Sequence, residues 1–147
     1  MKTQEIGIVI LATNAYLVLG LRFVRRFSHF YKGNKNIKFY FFSDTDPKPF
    51  LPVEVDFAYM FLPEEEGSSA TINLEFHHAQ HTSWVDGTNS KFSNILKLKD
   101  CSSDYLYYFD ADTNIQKDFT DEWFLGDIVG GEHYSNRTTL KDGAGFD

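Results

Sequence analysis

Residues 105–112 read Tyr-Leu-Tyr-Tyr-Phe-Asp-Ala-Asp, an apolar and aromatic run that ends in two carboxylates separated by one residue. A run of this kind is typical of a buried strand. Side chains two apart on a strand point to the same face, so Asp110 and Asp112 can converge at its end. Two carboxylates held close together need a cation between them, and hard oxygen ligands suit Mg²⁺ or Mn²⁺. The stretch therefore indicates a metal site that bridges to a phosphorylated substrate, although an Asp pair that caps a turn explains the pattern equally well.

The composition indicates one acidic domain with an aromatic core. The chain has 147 residues, a net charge of −7, fifteen Phe and eight Tyr. Its length suits a single domain, and its negative charge disfavours nucleic acid as a partner. A single cysteine, Cys101, excludes an intrachain disulfide and is expected to be a buried or half-buried thiol. We find no signal-peptide pattern and no apolar stretch of the ~20 residues that span a membrane, so we expect a cytoplasmic protein.

The first 42 residues predict a strand, a helix and a second strand. Residues 6–12 are almost continuously apolar, as in a central strand covered on both faces. Apolar residues then recur at helical spacing from Leu17 to Tyr31, with three arginines elsewhere on the helix. Residues 37–42 form the second strand, and this order predicts a parallel sheet. The fold class is therefore α/β.

The rest of the chain gives weaker patterns. Residues 53–62 predict a third strand, 89–100 a helix, 118–127 a short amphipathic piece and 128–129 the start of another strand. After residue 134 the sequence is polar without an apolar period, which is typical of a poorly packed tail. We therefore predict a domain over 1–134 and a polar tail over 135–147.

Ligands of parallel sheets bind beyond the carboxyl ends of the strands. Three predicted strand ends share that edge, at residues 12–14, 43–44 and 110–112. No glycine-rich phosphate loop is present, which argues against a dinucleotide enzyme or a P-loop nucleotidase. A phosphate would then be held by metal and basic side chains. Lys91 is a candidate cation, although an ordinary exposed lysine explains it better.

Two other clusters compete for a metal. Asp44 and Asp46 also follow an aromatic strand, but Pro47 favours a turn there. His77 and His81 would share one face if the segment were helical, and with Glu75 or His78 they could form a zinc site of an interaction domain. A polar, solvated face explains the histidines better.

Five pieces of sequence occur in a recognisable order: residues 8–12 with Tyr16, 40–44, 84–86 with Lys91, 104–112, and 130–133. In this order and spacing they resemble glycosyltransferase family 6, which includes the blood-group A and B transferases and α-1,3-galactosyltransferase. The resemblance covers nearly the whole chain up to residue 134.

The resemblance implies a GT-A fold, which is Rossmann-like, with this chain supplying mainly the donor-binding half. It implies a retaining transferase that moves galactose or N-acetylgalactosamine from UDP-galactose or UDP-N-acetylgalactosamine to a glycan acceptor, with Mn²⁺ or Mg²⁺. Asp110 and Asp112 match the family's metal-binding Asp-x-Asp, and His133 its acceptor-site histidine. The donor-site positions correspond to Leu11, Ala12, Thr13, Tyr16, Trp84, Lys91, Asp110, Ala111 and Asp112.

This chain departs from the family at several positions. Lys91 falls where an arginine is usual, and Tyr134 begins the dipeptide that is Pro-Gly in the family. The family's candidate nucleophile, a glutamate, has no counterpart before Asp147, so no catalytic residue is assigned. Animal members of the family are membrane-anchored, and we expect no anchor here, so the resemblance implies a bacterial or phage-type member. The alternative is a non-catalytic nucleotide-sugar-binding fragment, and either one is expected to self-associate or to bind a partner chain that completes the fold.

Overall fold

The computed structural model describes residues 3–51, 72–80 and 90–124. Within these ranges, two α-helices accompany a four-stranded sheet in which every strand pair is parallel. The strands are β1 (Glu5–Leu11), β2 (Asn36–Ser43), β3 (Leu74–His78) and β4 (Tyr105–Asp110), and the helices are α1 (Leu17–Phe30) and α2 (Lys91–Leu96). Short 3-10 helices lie at Asn14–Tyr16, Lys48–Phe50 and Asp121–Phe124. The predicted α/β class is thus confirmed for the described part of the chain.

The strands are ordered β3-β2-β1-β4, so β1 lies between β2 and β4. In this register Leu11 at the end of β1 is level with Phe42 of β2 and with Asp110 of β4. The chain moves from β1 outward through β2 to β3, and then returns to the other side of β1 to form β4. The reversal creates a switch point between β1 and β4, which is where open parallel sheets bind ligands.

Hydrophobic cores form on both faces of the sheet, because successive strand side chains point to opposite sides. On one face Ile8 and Ile10 pack with Phe23 and Phe27 of α1. On the other, a smaller core joins Val9, Tyr40, Phe42, Ala79 and Leu98, with Ile95 of α2 packed against it. Two-sided burial explains why the β1 sequence is apolar without alternation.

A hydrogen-bond network fixes the opposite, amino-terminal edge of the sheet. Oε2 of Glu5 accepts hydrogen bonds from the hydroxyls of Ser102 (2.9 Å) and Ser103 (2.7 Å). The Ser103 hydroxyl also hydrogen-bonds with the hydroxyl of Tyr40 at 2.8 Å. The main-chain N–H of Glu5 donates to Asp104 at 2.8 Å. These contacts hold β4 in register beside β1, and so determine where Asp110 lies at the other end.

The structure differs from the sequence predictions in two elements. Residues 74–78 form strand β3, which was not predicted, so the helical interpretation of His77 is wrong. The segment pairs with β2 as a parallel strand instead of forming a helix. His77 lies opposite Phe42 in this pairing, and their rings stack with 4.8 Å between the ring centroids. The predicted 89–100 helix is shorter, since α2 ends at Leu96 and the chain continues in turns.

Several predictions lie outside the described residues. These are the strands predicted at 53–62 and 128–129, and the division between a domain over 1–134 and a tail over 135–147. Where the structure does describe the chain, neither helix has the length and apolar character needed to cross a membrane.

Candidate functional site

The carboxyl ends of three neighbouring strands meet at one edge, as predicted. Leu11 lies between Phe42 and Asp110 in the register, and the N–H of Ala12 donates to the carbonyl of Phe42 at 2.8 Å. The polar residues that follow β1, β2 and β4 are therefore neighbours although they are far apart in the sequence. This edge, at the switch point between β1 and β4, is the candidate site.

The Asp pair has the alternation that the sequence indicated. Ala111 is buried in the α1-side core, and Asp110 and Asp112 on either side of it are exposed. The N–H of Thr113 donates to the carbonyl of Asp110 at 3.0 Å and turns the chain directly after β4. Two carboxylates are thus presented to solvent from one anchored turn.

Tyr108 lies two residues before Asp110, and its hydroxyl interacts with both carboxylates. Burial raises the pKa of Tyr108 well above its usual value, and the charge of Asp110, a hydrogen bond to its carboxylate and the charge of Asp112 raise it further. The hydroxyl therefore stays protonated and donates to Asp110. Tyr108 was not among the predicted site residues, although a residue two positions before Asp110 on a strand shares its face.

The end of β1 divides into a buried part and an exposed part. Ala12 is fully buried and Thr13 is only 9% exposed, whereas Tyr16 is 46% exposed. Ala12 packs closely against Gly20 of α1: a Cβ atom added to Gly20 would lie 2.6 Å from the Cβ of Ala12. Leu11 is half-buried on the face that carries Tyr108. Among these predicted donor-site residues, Tyr16 offers the largest exposed surface to a ligand.

Asp44 links the ends of β1 and β2. Its Oδ1 accepts a hydrogen bond from the main-chain N–H of Asn14 at 3.0 Å. That bond is the main reason that the pKa of Asp44 lies below its usual value. Asp46, by contrast, accepts a hydrogen bond from the N–H of Lys48 at 3.0 Å, as a turn residue does. The predicted turn role is therefore correct for Asp46, but Asp44 also organises the neighbouring strand end.

Three arginines of α1 donate hydrogen bonds to loops at this edge. Arg22 and Arg25 are 8% and 9% exposed. Arg22 donates to the carbonyl of Asp112 at 3.3 Å, and Arg26 donates to the carbonyl of Ile115 at 2.6 Å. Arg25 donates to the carbonyl of Leu51 at 3.2 Å, in the loop after β2. Residue patterns do not indicate these contacts, because every residue has a carbonyl that can accept a hydrogen bond.

Within the described residues, the predicted histidine cluster contains an ion-pair network around Glu75. Nε2 of His77 lies 2.5 Å from Oε2 of Glu75, and Lys38 binds the other oxygen of Glu75 at 3.1 Å. Burial opposes ionisation of Glu75, but its hydrogen bonds with His77 and Lys38 hold its pKa below the usual value. His78 is exposed at the end of β3, and His81 lies outside the described residues.

The Asp pair suits a particular type of metal ion. In the described ranges, no three His, Cys, Asp or Glu side chains are grouped so that they could hold a metal by themselves. Two exposed carboxylates supply part of a ligand set, which is what Mg²⁺ and Mn²⁺ need when waters and a substrate diphosphate complete their coordination. Asp110 and Asp112 therefore fit a hard divalent cation that is shared with a ligand.

Other predicted site residues are described only in part. Lys91 begins α2, on the sheet face that carries Tyr108 and Leu11, but its side chain is outside what the structure describes. Trp84 and His133 lie outside the described residues altogether. Cys101 is a free, half-buried thiol, as expected.

Comparison with known proteins adds no assignment. No protein-family model matches the chain, and no curated protein matches it.

Proposed function

We propose that this chain is a retaining glycosyltransferase that moves galactose or N-acetylgalactosamine from a UDP-sugar to a glycan acceptor. The observation that carries the proposal is the position of Asp110 and Asp112, two exposed carboxylates at the switch point between β1 and β4. The sequence resemblance to glycosyltransferase family 6 supplies the donor and the reaction type.

In this proposal each element of the edge has a distinct role. Asp110 and Asp112 bind a divalent cation, and Tyr108 holds the Asp110 carboxylate in place. Tyr16, nearly half exposed, offers its ring to the uracil base, and the main chain of Leu11–Thr13 borders the uridine. When bound, Mn²⁺ or Mg²⁺ supplies positive charge to the departing diphosphate, which is worth several kcal/mol of transition-state stabilisation.

Calorimetric titration of UDP into the chelator-treated full chain, with and without Mn²⁺, tests the donor site. We expect binding that requires Mn²⁺, and we expect Asp112→Asn to abolish or strongly weaken it. Asp100→Asn is the matched control, because Asp100 is an exposed carboxylate in the turn that precedes β4 at the opposite edge. An Asp112→Asn chain that binds UDP with unchanged Mn²⁺ dependence would contradict the proposal.

Turnover requires a separate measurement. UDP-galactose and UDP-N-acetylgalactosamine are incubated with the chain and Mn²⁺, and the release of UDP is followed. Release that is lost in Asp112→Asn and kept in Asp100→Asn supports catalysis. Mn²⁺-dependent UDP binding without any release, with or without a galactoside acceptor, would restrict the function to binding the nucleotide-sugar.

A further inference from the structure

Different arginines of α1 bind the two loops at the candidate site. Arg22 and Arg26 are one helical turn apart and donate to the carbonyls of Asp112 and Ile115, in the loop after β4. Arg25 lies on the same helix but donates to Leu51, in the loop after β2. One helix therefore anchors both loops, each through its own guanidinium groups.

The loop after β4 is anchored on its buried side. Ala111 and Ile115 are each 5% exposed within the α1-side core. Arg26 is held by its position over the ring of Phe30, with 5.1 Å between the guanidinium carbon and the ring centroid. The Asp112 side chain, between these anchors, is exposed. The main chain of Asp112 is thus fixed while its carboxylate remains available to a ligand.

Burial of an arginine is costly unless its charge is hydrogen-bonded, and its planar fork donates only along fixed directions. Arg22 is 8% exposed, so its rotamer is restricted by packing. A restricted donor at 3.3 Å from the carbonyl of Asp112 limits where that residue's Cα and carboxylate can lie. Partners of this type, which orient a ligating residue, commonly change metal affinity 10–100-fold when they are removed.

We propose that Arg22 is a positioning residue of the metal site, which holds the Asp112 carbonyl so that the Asp112 carboxylate lies ready beside Asp110. The inference rests on the proposed function, since it assumes that the Asp pair binds the cation. In this proposal Arg22 acts through the main chain of Asp112 and not directly on the cation or the nucleotide. Its effect is to limit the conformations of Asp112 before the cation binds, so that less ordering is needed on binding.

The test compares Arg22→Met with Arg25→Met. Each substitution replaces a buried arginine of α1 with an apolar side chain of similar length and leaves one loop carbonyl without its donor. Binding of UDP to the full chain is measured by calorimetry over a series of Mn²⁺ concentrations, and thermal unfolding is recorded for each variant. Arg22→Lys is included because an ammonium group can also donate to a carbonyl.

We expect both Met variants to lose stability, but only Arg22→Met to raise the Mn²⁺ concentration for half-maximal UDP binding, by about tenfold or more. Arg22→Lys should recover much of that change. If Arg22→Met does not fold, Arg22→Lys is compared with Arg25→Lys, and a smaller shift confined to Arg22→Lys is expected.

Two outcomes overturn the inference and differ in what they say about function. In the first, the wild-type chain requires Mn²⁺ to bind UDP, but Arg22→Met and Arg25→Met reach half-maximal UDP binding at the same Mn²⁺ concentration as each other. Arg22 then only stabilises the fold. The proposed function then stands. If the wild-type chain does not bind UDP in the presence of Mn²⁺, the proposed function fails, and the positioning role fails with it.

Discussion

Asp44 and Asn14 join two strand ends through a single hydrogen bond, in which Oδ1 of Asp44 accepts from the main-chain N–H of Asn14 at 3.0 Å. Among the described residues, Asn14 is the only non-glycine residue with a positive φ, at 55°. Asn tolerates this left-handed conformation better than most residues do, but it still has a cost. The Asp44 carboxylate offsets that cost and fixes the turn that leads to Tyr16.

Replacing Asp44 with Ala should destabilise the fold by about 1 kcal/mol, because a charge-assisted hydrogen bond is lost at a partly exposed position. Chemical denaturation measures the change. Asp46→Ala is the control, since Asp46 serves an exposed turn through one hydrogen bond to Lys48. An Asp44→Ala effect no larger than that of Asp46→Ala would show that the link between the strand ends contributes little.

The same carboxylate predicts a pH dependence. The hydrogen bond from Asn14 lowers the folded-state pKa of Asp44, and the unfolded-state value is about 3.9. Its contribution to stability is therefore fully present above about pH 5 and is lost as the pH falls through the lower, folded-state pKa. We expect the difference in unfolding free energy between wild type and Asp44→Asn to be constant near neutral pH and to shrink below about pH 4. If the difference in unfolding free energy stayed constant below about pH 4, the charge of Asp44 would not be what stabilises the fold.

Tyr108→Phe should change Mn²⁺ binding much more than it changes the stability of the fold. The hydroxyl donates to Asp110, whose carboxylate is exposed and can be hydrated instead. The free energy of unfolding should therefore change by less than about 1 kcal/mol. The Mn²⁺ requirement for UDP binding should rise about tenfold, because the carboxylate loses the group that orients it. A variant that is clearly less stable but has unchanged Mn²⁺ affinity would show that the Tyr108 hydroxyl stabilises the fold and does not orient Asp110 for the cation.

Gly20→Ala should destabilise the fold even though alanine favours helices by about 1 kcal/mol over glycine. The new methyl group would lie 2.6 Å from Cβ of Ala12 and 2.8 Å from Cζ of Phe41, so α1 and the sheet would have to separate. Such overpacking costs about 1–3 kcal/mol. Ser28→Ala on the same helix is the control for helix propensity. Thermal unfolding should give a lower midpoint for Gly20→Ala and a similar or higher midpoint for Ser28→Ala.

The sequence predicted β1, β2, β4 and α1 because their patterns are long and unambiguous. It failed at β3, where Glu75, His77 and His78 interrupt the apolar pattern of a short strand. Those polar side chains are accommodated by contacts with β2, such as the ion pair between Glu75 and Lys38, and pattern analysis does not show which strand lies alongside.

The geometry of the candidate site was predictable where it follows from residue spacing, and not where it depends on main-chain partners. Asp110 and Asp112 alternate around a buried Ala111, as a strand end requires. The helical pattern set Arg22 apart from the apolar residues of α1, but Arg22 is buried, and a carbonyl 90 residues later accepts its hydrogen bond. Any residue can supply a carbonyl, so only the folded chain identifies the acceptor.

The strand order also has a consequence for synthesis of the protein. The contact between Asn14 and Asp44 spans 30 residues, whereas that between Arg22 and Asp112 spans 90, and closing the longer loop costs about 1 kcal/mol more in chain entropy. At about 5–20 residues per second, the ribosome releases β1, α1 and β2 several seconds before β4. Ribosome-bound chains stalled before residue 105 should thus be cleaved by protease more readily than chains that include β4. Among the described strands, β4 is then the last to join the sheet, and β1 has no partner on that side until β4 has been synthesised.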